Sequence, residues 1–153
     1  MSFGTAIKTC FGKLFVFSGR ARRSEFWWFY LFVNLVSLAV SVVVVGLTVW
    51  LMLGPMAPRV DPATDEVSED AIVAFIWALL LLYGALVVVG LALTAMVLGV
   101  QARRLHDTGQ SGHWLWFYVA GLGIVPLIMC IMEGQPHPNQ YGPDPKAPPA
   151  YGV

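Results

Sequence analysis

Thirty consecutive residues, Ala71 to Val100, carry no charged side chain, and the run stops abruptly before Arg103-Arg104-Leu105-His106-Asp107. About 20 apolar residues at 1.5 Å each cross a hydrocarbon layer of roughly 30 Å, so this run reads as a transmembrane helix with room for tilt. A second run, Phe26 to Leu53, has Asn34 as its only strongly polar residue. A third, Trp114 to Met132, is shorter and contains Pro126, which is expected to bend it. The sequence therefore predicts an all-α membrane protein with about three transmembrane helices, over 26–53, 71–100 and 114–132.

Composition agrees. Only 12% of residues are charged and 58% are hydrophobic, against about 25% charged in a soluble domain. The formal net charge is zero, so whole-chain charge says nothing about nucleic acid, and no nucleic-acid partner is expected of this membrane protein. Cys10 precedes the first run and Cys130 lies late in the third, which predicts two free thiols at opposite membrane faces. Arg22-Arg23 is reminiscent of a twin-arginine export signal. The apolar run after it is far longer than a signal-peptide core and no small-residue cleavage site follows, so a cleavable leader is not expected.

The distribution of charge gives an orientation. Lys8, Lys13, Arg20, Arg22 and Arg23 flank the first run, and Arg103 and Arg104 follow the second. Arg59 alone lies in the 54–70 loop, and Lys146 alone in the tail. Basic flanks stay on the cytoplasmic side, so the expectation is a multi-pass protein of a bacterial inner membrane with the N-terminus in and the tail out. Trp27, Trp28, Tyr30, Trp114, Trp116 and Tyr118 then fall at the inner boundary, where aromatic rings prefer to sit.

Three regions follow. Residues 1–25 hold an interfacial amphipathic helix, with Lys8 and Lys13 on one side and Phe3, Ile7, Phe11, Leu14 and Phe17 on the other. Residues 26–132 are the transmembrane domain, and 133–153 form a Pro-rich C-terminal tail. The acidic, Pro-rich stretch between the first two runs reads as a solvated loop. The pairs Ala95/Gly99, Ala74/Ala78 and Ser37/Ser41 have the spacing that lets helices approach closely.

Polar residues concentrate in two places. One is Gly19-Arg20-Ala21-Arg22-Arg23-Ser24-Glu25. The other runs from Arg103 and Arg104 through His106 and Asp107 to Gly112. Glu25 is expected to pair with Arg103 or Arg104, and Asp107 with an arginine of the first cluster. Guanidinium groups bind phosphate bidentately, so an anionic lipid headgroup is the expected ligand, with a partner protein or a second copy as other partners. Catalysis is disfavoured because His106 and its neighbour Asp107 diverge by about 100° on a helix. Ser24 or Ser111 would serve as a nucleophile only if the fold gathered a base around it. The histidines lack metal-ligand spacing, so no metal, cofactor or catalytic residue is assigned.

The strings GRARRSEFWWF, RRLHDTGQSGHW and NQYGPDP, in this order, resemble the bacterial "domain of unknown function 805" family of small inner-membrane proteins, over roughly residues 12–146. Arg20, Arg23 and Glu25 match its first motif, and Arg103 to Asp107 its second. Asn139, Tyr141, Gly142, Pro143, Asp144 and Pro145 match its tail motif. His113 stands where the family usually has tryptophan. The resemblance implies a membrane protein, with no settled activity and no catalytic residues. It also suggests that the tail docks back on the arginine clusters, which would need a re-entrant or fourth crossing. The function expected is a non-enzymatic membrane module. A small oligomeric transporter, lined by Asn34, Ser37, Ser41, Thr48 and Thr94, is the alternative, and a membrane enzyme is less favoured.

Overall fold

A computed structural model describes residues 1–54, 57–61 and 66–147. Part of the acidic loop and the last six tail residues lie outside that set. Helix α1, Phe3–Gly12, is followed by α2, Arg23–Leu53, and α3, Glu69–Asp107. A short 3-10 helix, Gly112–Tyr118, and α4, Ile124–Met129, complete the described elements. Val60 and Val67 form an isolated antiparallel bridge within the α2–α3 connection.

Among the described residues, α2 and α3 are the helices long and apolar enough to cross a membrane. Their surfaces show why. Leu38 and Val42 on α2, and Leu81, Val88 and Leu91 on α3, are each more than 60% exposed. Large aliphatic side chains displayed along whole helices need an apolar solvent, not water. α3 runs past the predicted end at Val100 to Asp107, so the Arg-Arg-Leu-His-Asp motif is helical. Glu69 and Asp70 occupy its first turn and Arg104 and His106 its last, the arrangement the helix dipole favours. A Schellman turn ends it. Gln110 N–H donates to Leu105 O at 2.9 Å and Gly109 N–H to His106 O at 3.0 Å, with Gly109 at φ +82°.

The third apolar run is not one helix, contrary to the sequence expectation. It divides into the 3-10 helix and the six residues of α4. Gly121, at φ +74°, turns the chain between them. Pro126 sits in the first turn of α4, where its missing N–H costs nothing, rather than bending a longer helix. Six residues rise only ~9 Å.

The chain divides into two compact units. Asn34–Leu93 forms one. Within it the hydroxyls expected to line a pore turn to nearby carbonyls: Ser41 donates to Ser37 O and Thr48 to Val44 O, both at 2.8 Å. The other unit is Met1–Val33 with Thr94–Val153. It holds both arginine clusters, α1 and the described part of the tail. α1 is shorter than the 3–17 stretch expected. Ala6 and Cys10 are its buried residues, while Phe11 meets Phe29 and Phe32 edge-on.

Candidate functional site

Five arginines converge in this second unit, and most of the hydrogen bonds described for them are to backbone carbonyls. Gly19, at φ +87°, turns the chain after α1, and Ala21 N–H then donates to Arg103 O at 3.0 Å. That bond fixes the first cluster against the end of α3.

Arg103 and Arg104, adjacent on α3, serve two different helix ends. Arg103 Nη1 donates to Lys13 O at 2.8 Å and to Val16 O, just past the end of α1. Its Nη2 lies 3.3 Å from Glu25 Oε1. Arg104 Nε donates to Cys130 O at 3.1 Å, and its Nη2 to Met132 O, just past the end of α4. Terminal helix carbonyls lack intrahelical partners and carry partial negative charge, so a guanidinium there is doubly favourable. Gly99 makes the approach possible, since an added Cβ would lie 2.4 Å from Leu14 O. Its small size serves a loop backbone, not the helix pairing that Ala95/Gly99 suggested. Arg103 Nε and Gln101 Nε2 are buried with no hydrogen-bond partner among the described residues.

Asp107 is the hub, with its side chain 3% exposed. Oδ1 accepts from Arg20 Nε at 2.8 Å and Oδ2 pairs with Arg104 Nη1. The remaining Arg20 donors hold the tail, reaching His137 O at 2.7 Å, Gly142 O at 3.4 Å and Gln135 O. Gln135 N–H closes the circuit by donating to Asp107 O at 2.9 Å. Gly134 is required here because an added Cβ would fall 2.0 Å from Asp107 Oδ2, a carboxylate already fixed by two guanidiniums.

His106 turns away from Asp107. Its ring stacks on Tyr141 with centroids 3.8 Å apart and planes 4° apart. Nδ1 lies 3.2 Å from Gly19 O, and a carbonyl only accepts, so Nδ1 carries the proton and Nε2 is the bare acceptor. His106 lies beyond the apolar 71–100 segment. Burial pulls its pKa below the usual 6.5, partly offset by the bond to Gly19. Asn139 Nδ2 donates to His106 O and to Gln135 Oε1, each at 2.9 Å, and its Oδ1 accepts from Tyr141 N–H. The last is an Asx turn that sets Tyr141 against the imidazole.

The other residues singled out in the sequence sit further out. Arg22 Nε donates to Pro145 O at 2.6 Å. Arg23 reaches Met132 O at 3.0 Å and the exposed Glu133 at 3.5 Å. Asp144 caps its own turn through Lys146 N–H, following Pro143. Ser111 Oγ lies 2.6 Å from His113 Nδ1 and also accepts from His113 N–H, as the cap of the 3-10 helix. Sequence reasoning missed Gln135 and Gly134, and with them the carbonyls of residues 13, 16, 130 and 132, because a carbonyl leaves no mark in a sequence. It also placed the tail and Cys130 on the opposite side from the arginines. Both lie against the clusters. The two thiols are free and buried, each beside one of the paired arginines.

Comparison with known proteins gives the same reading of kinship. The inner membrane protein YhaI of Escherichia coli (strain K12) is 36% identical over 132 residues, 85% of this chain and 86% of that protein. The inner membrane protein YhaH of the same organism is 31% identical over 135 residues, 87% and 89% of the two chains. No solved structure matches. The family model described as "Protein of unknown function (DUF805)" matches residues 14–143, nearly all of the arginine knot and its tail strap, and the chain belongs to that family.

Proposed function

We propose that this protein is a non-enzymatic module of a bacterial inner membrane that engages anionic lipid through its N-terminal segment. One observation carries the reading. Lys8 and Lys13 are exposed beside Phe3, Phe11, Phe15, Val16 and Phe17, which are also exposed, Phe15 by 81%. Aromatic and aliphatic side chains displayed next to lysines suit a segment lying at the headgroup level. The arginines of the knot do not suit the role first expected of them. Arg20, Arg103 and Arg104 have side chains at most 3% exposed, and apart from Arg103 Nε, which is itself enclosed, the donors described above go to carboxylates and carbonyls within the protein. Lipid contact therefore falls to Lys8 and Lys13, with Arg22 and Arg23 as partly exposed neighbours.

The test is native mass spectrometry of the detergent-solubilised protein with equal amounts of phosphatidylglycerol and phosphatidylcholine. Phosphatidylglycerol should be retained preferentially, and the preference should fall about fivefold for each of Lys8→Gln and Lys13→Gln. Equal retention of the two lipids by the unaltered protein would reject the proposal.

For topology we propose two crossings, α2 and α3, with the N-terminus, residues 101–113 and the tail all cytoplasmic. The tail's bonds to Arg20 and Arg22 support placing those three segments on one side. The exposed apolar residues Trp116, Val119, Ile124 and Ile128 suit a hairpin that dips into the interface without crossing. Single-cysteine probes at Ser18, Gln110 and Lys146 should then resist an impermeant thiol reagent applied outside cells and react together in inverted vesicles. Labelling of Lys146 alone from outside would restore a third crossing.

A further inference from the structure

We infer that the open cleft beside His106 is a binding site for a hydroquinone-type amphiphile, a flat aromatic head with a phenolic O–H on an apolar chain. The cleft has a volume of about 460 Å³ and is lined by residues including Phe17, His106, Gly112, His113, Trp116 and Tyr141. That size is in the range of small-molecule sites. Its walls are mostly aromatic, and no Lys, Arg, Asp or Glu lines it. An anionic head finds no cation there, and a cationic head finds no carboxylate. What the cleft offers is an oriented acceptor at His106, beside Ser111, whose Oγ is engaged with His113. The bond from Nδ1 to Gly19 O leaves His106 Nε2 with a free lone pair, and Tyr141, stacked on the ring, holds it in place. Gly112 leaves that nitrogen uncovered, since a Cβ there would lie 3.4 Å from Nε2.

A neutral donor meeting an acceptor in an aromatic slot is the chemistry of a phenol. An aliphatic lipid hydroxyl satisfies the nitrogen equally but gains less from flat walls of Phe17 and Trp116. Phe15 and Val119, close in sequence to the lining residues Phe17 and Trp116, are 81% and 80% exposed and offer apolar surface to a chain attached to the head. His113 does not compete for the head through Nδ1, which is engaged by Ser111 Oγ.

The test is equilibrium binding to the full-length protein in a neutral detergent, read by tryptophan quenching under reducing conditions. Three probes are compared: decylhydroquinone, its dimethyl ether and a monoacylglycerol of similar length. Decylhydroquinone should bind saturably and at least tenfold more tightly than the other two. Gly112→Ala sets a methyl group over Nε2 at ordinary contact distance and should weaken decylhydroquinone at least tenfold while leaving the fold intact. His106→Phe keeps the stacking surface and should do the same. Equal binding of the ether, tighter binding of the monoacylglycerol, or undiminished binding by the folded Gly112→Ala protein would each overturn the inference. None of these outcomes bears on retention of phosphatidylglycerol, which depends on Lys8 and Lys13.

Discussion

Asp107→Asn is expected to lower the stability of the folded protein in detergent by about 3–5 kcal/mol, the range seen when one partner of a buried ion pair is removed. The carboxylate faces two guanidiniums, Arg20 and Arg104, and all three side chains are almost fully buried. Replacing it with an amide removes the counter-charge and presents N–H groups where the arginines need acceptors. Its neighbours cannot compensate, because Gly134 packs against the carboxylate so closely that not even a methyl group fits. The measurement is a denaturant titration of both proteins by circular dichroism. Glu133→Gln is the matched control: it also removes an acid paired with an arginine, but Glu133 is 82% exposed and solvent screens the pair, so stability should not change. An Asp107→Asn protein as stable as that control would show that water reaches the pair and that the knot is a surface network.

The contrast between these two acids shows what was legible in the sequence. Burial was not. Asp107 and Glu133 are both acids near arginines, and only the fold decides that one is enclosed. The long helices were legible because thirty uncharged residues leave few alternatives, and the pairings of Glu25 and Asp107 followed from charge alone. The third span failed for a physical reason. Apolar content measures affinity for hydrocarbon, while helix continuity also needs an unbroken backbone, and Gly121 at φ +74° breaks it. The tail's position failed because counting one lysine, Lys146, ignored what the tail's carbonyls bind. Its docking was foreshadowed only by the specificity of the Asn139–Pro145 string, since six prolines make slackness the default. The expectation of a lipid site at the arginines rested on side chains alone. A cluster of arginines looks like an anion site until the carbonyls that consume its donors are counted.

The two arginines of α3 should act on two separate parts of the molecule, and the two native cysteines report on them. Cys10 lies in α1, 1% exposed, with its thiol facing Glu25, the partner of Arg103. Burial, followed by the Glu25 charge, pushes that thiol up to about 12, so at neutral pH it is both covered and protonated. Cys130 is fully buried, and its own carbonyl accepts from Arg104. In the native protein neither should react with N-ethylmaleimide at pH 7.5, and both should react once unfolded. Arg103→Gln leaves Glu25 without its cation, removes the guanidinium from the Val16 carbonyl and leaves the Lys13 carbonyl only the Val16 N–H. It should release α1 and raise the labelling rate of Cys10 at least tenfold, with Cys130 still protected. Arg104→Gln takes Arg104 from the Cys130 carbonyl, leaves Met132 O to Arg23 alone, and should do the reverse. Arg103→Lys should not rescue the first effect, because one ammonium cannot span two carbonyls and a carboxylate as a planar fork does. If instead both cysteines react together in both variants, the caps are not independent, and Asp107 binds α1, α4 and the tail into one cooperative unit.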